Sequence, residues 1–259
     1  MLVILAYAHD AGARALVERW RADGEDAALL TCADLSRPGW RHGGGMTGQA
    51  VIDGQLIATR DIRAVVTRIP AVGEAELMHL HDDDRRYAAA EMQAFLLAWL
   101  MSLECPVLNR PMPSNLGGPF WSTAEWVRRA RRLGLAARPV RQRLVYVSGV
   151  SRLPDRRIDP NAIYVDVVGE RAFLTGGRTP RGDEASLARA AVALARDAGA
   201  ELLRVYFECR PDQAPVFLEA GLWIDIAADG VAAALINRCR AVAHSARESC
   251  LPRSPSAWR

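Results

Sequence analysis

The chain has 259 residues with a formal charge of +3, and its 33 basic side chains are all arginine. Half of the residues are hydrophobic and 24% are charged, which is the composition of a packed chain and not of a disordered one. Without an ε-amine there can be no Schiff-base or pyridoxal-phosphate chemistry, no lysine general base and no Walker-type phosphate lysine, and the near balance of charge gives no electrostatic ground for nucleic acid or an anionic membrane as partner.

The opening Met1 to Asp10 has no basic n-region and too short an apolar run for a signal peptide or a membrane span, so a cytoplasmic location is expected. Leu2 to Ala8 has the length of a buried strand, Ala11 to Ala22 carries Leu16, Val17 and Trp20 at helical spacing with Gly24 as its stop, and Ala27 to Thr31 is a second apolar run. A β-α-β unit with parallel strands follows. After a Gly-rich loop from Arg41 to Gly48, Asp53-Gly54 between two apolar pairs predicts a hairpin over Ala50 to Ile57. Ile62 to Thr67 reads as a strand, and helical periodicity runs from Asp83 to Leu103 with Met92, Phe95, Leu96 and Trp99 on one face.

Pro106 to Leu108 is a brief strand, and Ser122-Thr123 are N-caps for a helix that stops at Gly134. Beyond Pro139, Arg143 to Val150, Ala162 to Val168 and Ala172 to Leu174 predict antiparallel strands. An amphipathic helix over Asp183 to Ala198, strands Leu202 to Glu208 and Val216 to Ala220, and a last helix over Asp229 to Val242 complete the order, with His244 to Arg259 as a flexible tail. Cys32, Cys105, Cys209, Cys239 and Cys250 lack C-x-x-C spacing, as expected of reduced thiols.

Few residues carry chemistry on their own. His79-Leu80-His81-Asp82-Asp83-Asp84 is the densest group of potential metal ligands, but the acids stand where a helix N-terminus attracts carboxylates, and capping and solvation explain them. His9, at the carboxyl end of the first strand, is a candidate acid or base. Arg68, Asn109 and Arg110 stand at strand ends facing a central cleft and are expected ligand contacts. The arginine-dense helix after Ser122 reads as a solvated face.

The order of these elements, with Gly54, Val65-Val66-Thr67-Arg68, Val107-Leu108-Asn109, Leu133-Gly134-Leu135, Pro139, Val165-Asp166-Val167-Val168-Gly169 and Val216-Phe217-Leu218-Glu219, resembles the ATP-grasp superfamily. Within it the likeness is to peptide-modifying carboxylate-amine ligases, such as a ribosomal-protein glutamate ligase and the microviridin-type macrocycle ligases. The resemblance implies an α/β fold: a pre-ATP-grasp-like parallel-sheet domain over 1–105, a helical connector over 106–140, a shortened ATP-grasp-like α+β lobe over 141–243, and a tail over 244–259.

Three departures bear on activity. The family's first nucleotide lysine falls near Trp121 or Ser122, and the second belongs to the lid over the nucleotide; this chain has neither. The 25 residues from 140 to 164 are fewer than the roughly 35 to 45 that a four-stranded lid needs. The family's magnesium takes an acid on one core strand and a Glu-x-Asn pair on the next; here Tyr206 stands at the first position, and Glu219 is followed by Ala220 and Gly221. Glu208, on the same side of its strand as Tyr206 and Arg204, is the remaining acid. Glu208 and Glu219 are weak metal candidates, and a salt bridge to arginine is the expected use.

The resemblance with its departures implies an ATP-grasp-like pseudoenzyme or accessory protein of a biosynthetic pathway, a homodimer that binds a peptide, a small molecule or a partner enzyme. No cofactor and no metal are expected. Ligand contacts are assigned to Arg68, Asn109, Arg110, Arg143 and Tyr206, and any catalytic role to His9, Glu208 or Glu219. The alternative is an atypical ATP-grasp peptide ligase using ATP and Mg, its phosphates held by Arg141, Arg143 or Arg152, or a cleft turned to another reaction.

Overall fold

The structure is a computed structural model in which residues 1–43, 48–140, 162–176, 184–210 and 213–249 are described, the side chains of 243–249 excepted. The chain divides into two units, Met1–Pro119 with Ile226–Arg259 and Phe120–Asp225. The first unit opens with β1 (Leu2–Leu5), α1 (Ala11–Ala22), β2 (Ala27–Leu30) and the short α2 (Cys32–Leu35). It continues with the hairpin β3 (Gln49–Ile52) and β4 (Gln55–Ala58), then β5 (Ala64–Thr67), α3 (Asp82–Ser102) and β6 (Val107–Leu108). Parallel pairing gives the order β2-β1-β5-β6.

β1 is apolar at every position because both faces of its sheet are covered, as parallel sheets require. Val3, Leu5 and Val65 share a cluster with Leu96, Trp99 and Leu100 of α3. At the hairpin tip Asp53 (φ 51°) and Gly54 (φ 74°) both take positive φ, the pairing that matches the twist of the strands, and Asp34 Oδ1 accepts from Gly54 N–H at 3.1 Å.

The second unit holds α4 (Thr123–Arg132), β7 (Ala136–Ala137), β8 (Ala162–Val168), β9 (Arg171–Gly176), α5 (Glu184–Ala198), β10 (Leu202–Glu208) and β11 (Val216–Gly221). Its sheet has the order β7-β11-β10-β8-β9, antiparallel except for the β7 and β11 pair. Ile163, Val165, Val167, Leu203, Val205 and Phe207 pack with Trp126 and Ala130 of α4 and Leu187, Ala191 and Leu194 of α5. Strand alternation sends Tyr164, Asp166, Arg204, Tyr206 and Glu208 to the opposite face.

The last helix, α6 (Asp229–Ser249), belongs to the first unit. Val231, Ala232, Leu235, Ile236 and Cys239 are its buried stripe, and Arg240 donates to Glu25, which also accepts from Arg63. The packing therefore divides the chain after 119 and after 225, not at the expected 105, 140 and 243. The expected connector contributes to both units, since β6 completes the first sheet and α4 lies on the second. The stripe on α6 needs an apolar surface, and the first unit supplies it, which chain order alone does not reveal. The helix also continues through 244 to 249, where an irregular tail was expected. The expected strand over 143–150 and the lid segment lie outside the described residues. Among the described residues no helix is long and apolar enough to cross a membrane.

Gly118 takes φ 115°, and a Cβ there would stand 2.7 Å from the Cβ of Asn109, whereas Gly24 takes φ 82° with nothing within 4 Å. Both substitutions to alanine incur the left-handed penalty of about 1 to 2 kcal/mol, and only Gly118→Ala adds a clash with the strand end that carries Asn109. Urea denaturation should show Gly118→Ala losing at least about 1 kcal/mol more than Gly24→Ala; equal losses would contradict the close approach.

Candidate functional site

Two polar clusters stand out, one in each unit. In the first, the carboxyl ends of β1, β5 and β6 meet. Asp10 caps α1, its Oδ1 accepting from Ala13 N–H at 3.0 Å, while its Oδ2 accepts from Arg68 Nε at 2.7 Å. Both side chains are 5% exposed. The Thr67 hydroxyl donates toward the Leu108 and Asn109 carbonyls, each at 2.9 Å, tying β5 to the turn after β6. Asn109 is buried in the left-handed conformation (φ 57°), which asparagine tolerates better than most residues. Arg110, next to it, is exposed.

His9 is exposed, stacks on Tyr7 with ring centroids 5.4 Å apart and lies 3.6 Å from the Glu76 carboxylate. The Tyr7 hydroxyl donates to Ala71 O at 2.8 Å, and burial, with Cys32 and Glu76 adding to it, pushes its pKa up. Burial likewise pushes the Cys32 thiol up to about 12, so it is no nucleophile at neutral pH.

The second cluster lies on the open face of the second sheet. Asp166 is fully buried and takes a two-pronged ion pair from Arg204, Nε to Oδ1 and Nη2 to Oδ2, both at 2.6 Å. Its Oδ2 also accepts from the Thr175 hydroxyl at 2.8 Å and from Asp225 N–H at 3.2 Å. Tyr206 pairs in register with Tyr164 on one side and Glu219 on the other. The two tyrosine rings meet edge to face at 5.1 Å, and the Arg204 guanidinium lies 5.6 Å from the Tyr164 ring centre. The hydrogen bond to Asp166 raises the Arg204 pKa, and burial raises that of Tyr206 against the nearby guanidinium. Glu208 is paired with Arg138 and with Arg210.

The resemblance implies magnesium here, and the residues do not fit it. A hard divalent cation needs several oxygen ligands. Asp166 already accepts four hydrogen bonds, Glu208 is spent on two arginines, and a phenol stands opposite Glu219. The Arg204 guanidinium, hydrogen-bonded to Tyr206 as well, adds a fixed positive charge beside that phenol. Among the described residues no three His, Cys, Asp or Glu side chains are grouped to hold a metal ion.

Near the place where the resemblance puts its first lysine, the Arg129 guanidinium lies 4.3 Å from the centre of the Trp121 ring. A guanidinium from further along α4 thus reaches the place where the resemblance puts a lysine. Its charge is already balanced by Glu125 at 2.9 Å and Asp197 at 2.7 Å.

Of the expected ligand contacts, Arg68 and Asn109 share the first cluster with Arg110 beside them, Tyr206 stands in the second cluster, and Arg143, with Arg141 and Arg152, lies outside the described residues. Of the catalytic candidates, His9 stands at the first sheet's edge, and Glu208 and Glu219 stand in the second unit. The salt-bridge use expected of Glu208 is what the structure has. His79 contacts the Ser36 hydroxyl, and Asp82, Asp83 and Asp84 occupy the first turn of α3. Asp10, as the partner of Arg68, and the pair of Asp166 with Arg204 were missed. Asp166 and Arg204 are charged residues embedded in apolar strands and Asp10 directly precedes a helix, and those patterns are the signals that could have exposed them.

No family model and no curated protein matches the chain. Solved structures do. The macrocyclase MdnC bound with precursor peptide MdnA, from Microcystis aeruginosa MRC, aligns with a TM-score of 0.61 at 15% identity over 91% of this chain and 99% of that one. The ATP-grasp ligase PsnB complexed with minimal precursor, Mg and ADP gives 0.62 at 16% over 92% and 98%. A RiPP-associated ATP-grasp ligase of Chryseobacterium gregarium, in complex with ADP and a leader and core peptide, gives 0.55 at 12% over 97% of both chains. The chain has an ATP-grasp-like α/β fold.

Two predictions follow from the ion pairs. Arg204→Met or Asp166→Leu alone leaves one buried charge without its partner and should cost about 3 to 5 kcal/mol, while the double variant should cost less than the sum by at least about 1 kcal/mol. Additive losses in urea denaturation would contradict a coupled pair. The second concerns acid. Hydrogen bonds from Arg128 hold Glu125 at about 2 against an ordinary 4.5. Burial alone would raise Asp197 and Glu208, but the arginines outweigh it and both are lowered. These folded-state values lie below the unfolded ones, so the stabilisation is complete above about pH 4.5 and is lost as pH falls toward about 2. The thermal midpoint should drop across that window, and an Arg128→Gln variant should drop less steeply.

Proposed function

We propose that this chain is a degenerate ATP-grasp-fold protein of a biosynthetic pathway that binds a peptide, or a partner enzyme presenting one, without hydrolysing ATP, and that it works as a homodimer in the cytoplasm. The observation that carries the reading is the Arg204 guanidinium locked on Asp166 beside Tyr206, the residue that pairs in register with Glu219. A cation built into the sheet stands among the groups that would have to collect a second cation, and the acid nearest to it is saturated. The absence of lysine removes both nucleotide-gripping amines, and the short span from 140 to 164 supports the loss of the lid.

The peptide part of the proposal rests on the company the fold keeps. MdnC is bound with a precursor peptide, PsnB with a minimal precursor, and the Chryseobacterium gregarium ligase with leader and core peptides. A protein that kept the scaffold and lost the nucleotide chemistry would retain a surface for such a chain. Arg68, Asn109 and Arg110 at the first sheet's edge are the contacts we assign to it, with Tyr206 in the second unit and Arg143 beyond the described residues.

One observation favours the rival, an atypical ligase in which arginines replace the lysines: Arg129 does reach Trp121. Its two carboxylate partners weigh against a role on phosphate, because a guanidinium already paired must break those bonds to bind another anion.

Isothermal titration with Mg-ATP decides between the two. No heat of binding and no ADP release are expected, with or without peptide. A micromolar affinity that depends on magnesium, with turnover to ADP, would overturn the proposal.

A further inference from the structure

β3 and β4 form a sheet of two strands, and β4 is its outer edge, since β3 lies beside β2. Arg41 and Gln49 exchange both backbone hydrogen bonds at 2.9 Å, so Gln49 turns its N–H and C=O away from β4. Backbone direction alternates along an antiparallel strand. Ala50 and Ile52 therefore face β4, where the register pairs them with Ile57 and Gln55. The N–H and C=O of Leu56 and of Ala58 are left pointing outward, and among the described residues they have no backbone partner there. Such an edge is normally defended by charge, proline or a bulge. β4 is Gln-Leu-Ile-Ala in an unbroken register, and Leu56 is 58% exposed.

Four outward groups on alternate residues fit one more extended strand, and the charges at the two ends of β4 say which kind. The Arg37 guanidinium lies against Gly54 at one end, and Arg60 stands exposed just past the other. Asp34, 3.8 Å from Arg37, is buried and holds Gly54 N–H and Thr31, and Asp53 is paired with Arg21. Two exposed guanidinium groups against one exposed carboxylate, Asp61, leave the rim basic. That balance disfavours a second copy. Joining two copies antiparallel with all four bonds puts Ile57 on the two-fold axis and Arg60 opposite the partner's Gly54, so like charges meet at both ends. An acidic strand meets the same two cations favourably. We infer that β4 is a docking edge, to which an extended peptide with acidic ends adds as a third strand, bonded to the backbone of Leu56 and Ala58 with an apolar side chain set against Leu56.

This inference rests on the peptide-binding reading above and gives it a mode of recognition. Fluorescence anisotropy on the full chain tests it with two labelled peptides, Glu-Asp-Val-Thr-Val-Asp-Glu and Arg-Arg-Val-Thr-Val-Arg-Arg. The acidic peptide should bind, and the basic one at least about fivefold more weakly. Ala58→Pro removes one outward donor and keeps the fold, because Ala58 already has φ −67° and its N–H holds no bond in the hairpin. Its thermal midpoint should not fall, and it should weaken the acidic peptide at least about tenfold. Arg60→Glu should erase the preference between the peptides. Binding that Ala58→Pro leaves unchanged overturns this edge and leaves the peptide reading standing, whereas no binding of either peptide overturns both. A lower midpoint for Ala58→Pro places its N–H in a bond within the fold and overturns the open edge. A wild-type dimer that Ala58→Pro dissociates in sedimentation equilibrium gives the edge to a second copy and overturns the peptide as its occupant.

Discussion

The Asp166 and Arg204 ion pair is the constraint on which the second unit turns. A carboxylate with no exposure is costly to bury unless every lone pair is occupied, and here two guanidinium bonds, the Thr175 hydroxyl and the Asp225 amide occupy them. Those donors come from β10, β9 and the chain after β11, so the charge welds three parts of the unit to β8. The same bonds fix what the face can do. A carboxylate that accepts four hydrogen bonds has no oxygen to spare for a metal, and a guanidinium held on both prongs stays where it is.

Asp10 and Arg68 repeat the principle in the first unit. One oxygen of Asp10 caps α1 and the other holds Arg68, so a single buried side chain links the start of a helix to the end of β5. The Thr67 hydroxyl and the left-handed Asn109 then join β5 to β6. Polar groups at this edge are thus engaged in holding three parallel strands in register, and a ligand there would meet a prearranged surface rather than loose side chains.

How much of this could be read from the sequence depended on the range of the interaction. Local signals were legible. Asp53-Gly54 marked its turn because two successive positive φ values suit few other pairs, Ser122 marked the start of α4, and Met92, Leu96 and Trp99 marked the buried side of α3. The order of elements was enough to point to an ATP-grasp-like fold. Partnerships across long stretches of chain were not legible. Asp166 and Arg204 are 38 residues apart and face each other only once the register of β8 on β10 is known. Arg68 and Asp10 are 58 residues apart, and no local pattern ties a helix N-cap to the residue after β5. The return of α6 to the first unit was hidden for the same reason.

The absence of lysine links these sites. An ammonium is a compact point charge on a flexible stem and can be shared or released, whereas a guanidinium offers a planar fork that pairs best with one carboxylate held in its plane. With 33 arginines against 30 acids, a chain whose every cation is a fork can settle most of its charge internally. Arg204 on Asp166, Arg68 on Asp10, Arg129 and Arg132 on Asp197, and Arg138 and Arg210 on Glu208 are settled in that way. Phosphate gripping requires the opposite, cations held in place without an anion until the nucleotide arrives. The arginines fixed on Asp166, Asp10, Asp197 and Glu208 gain rigidity from those bonds, which a second anion would have to break.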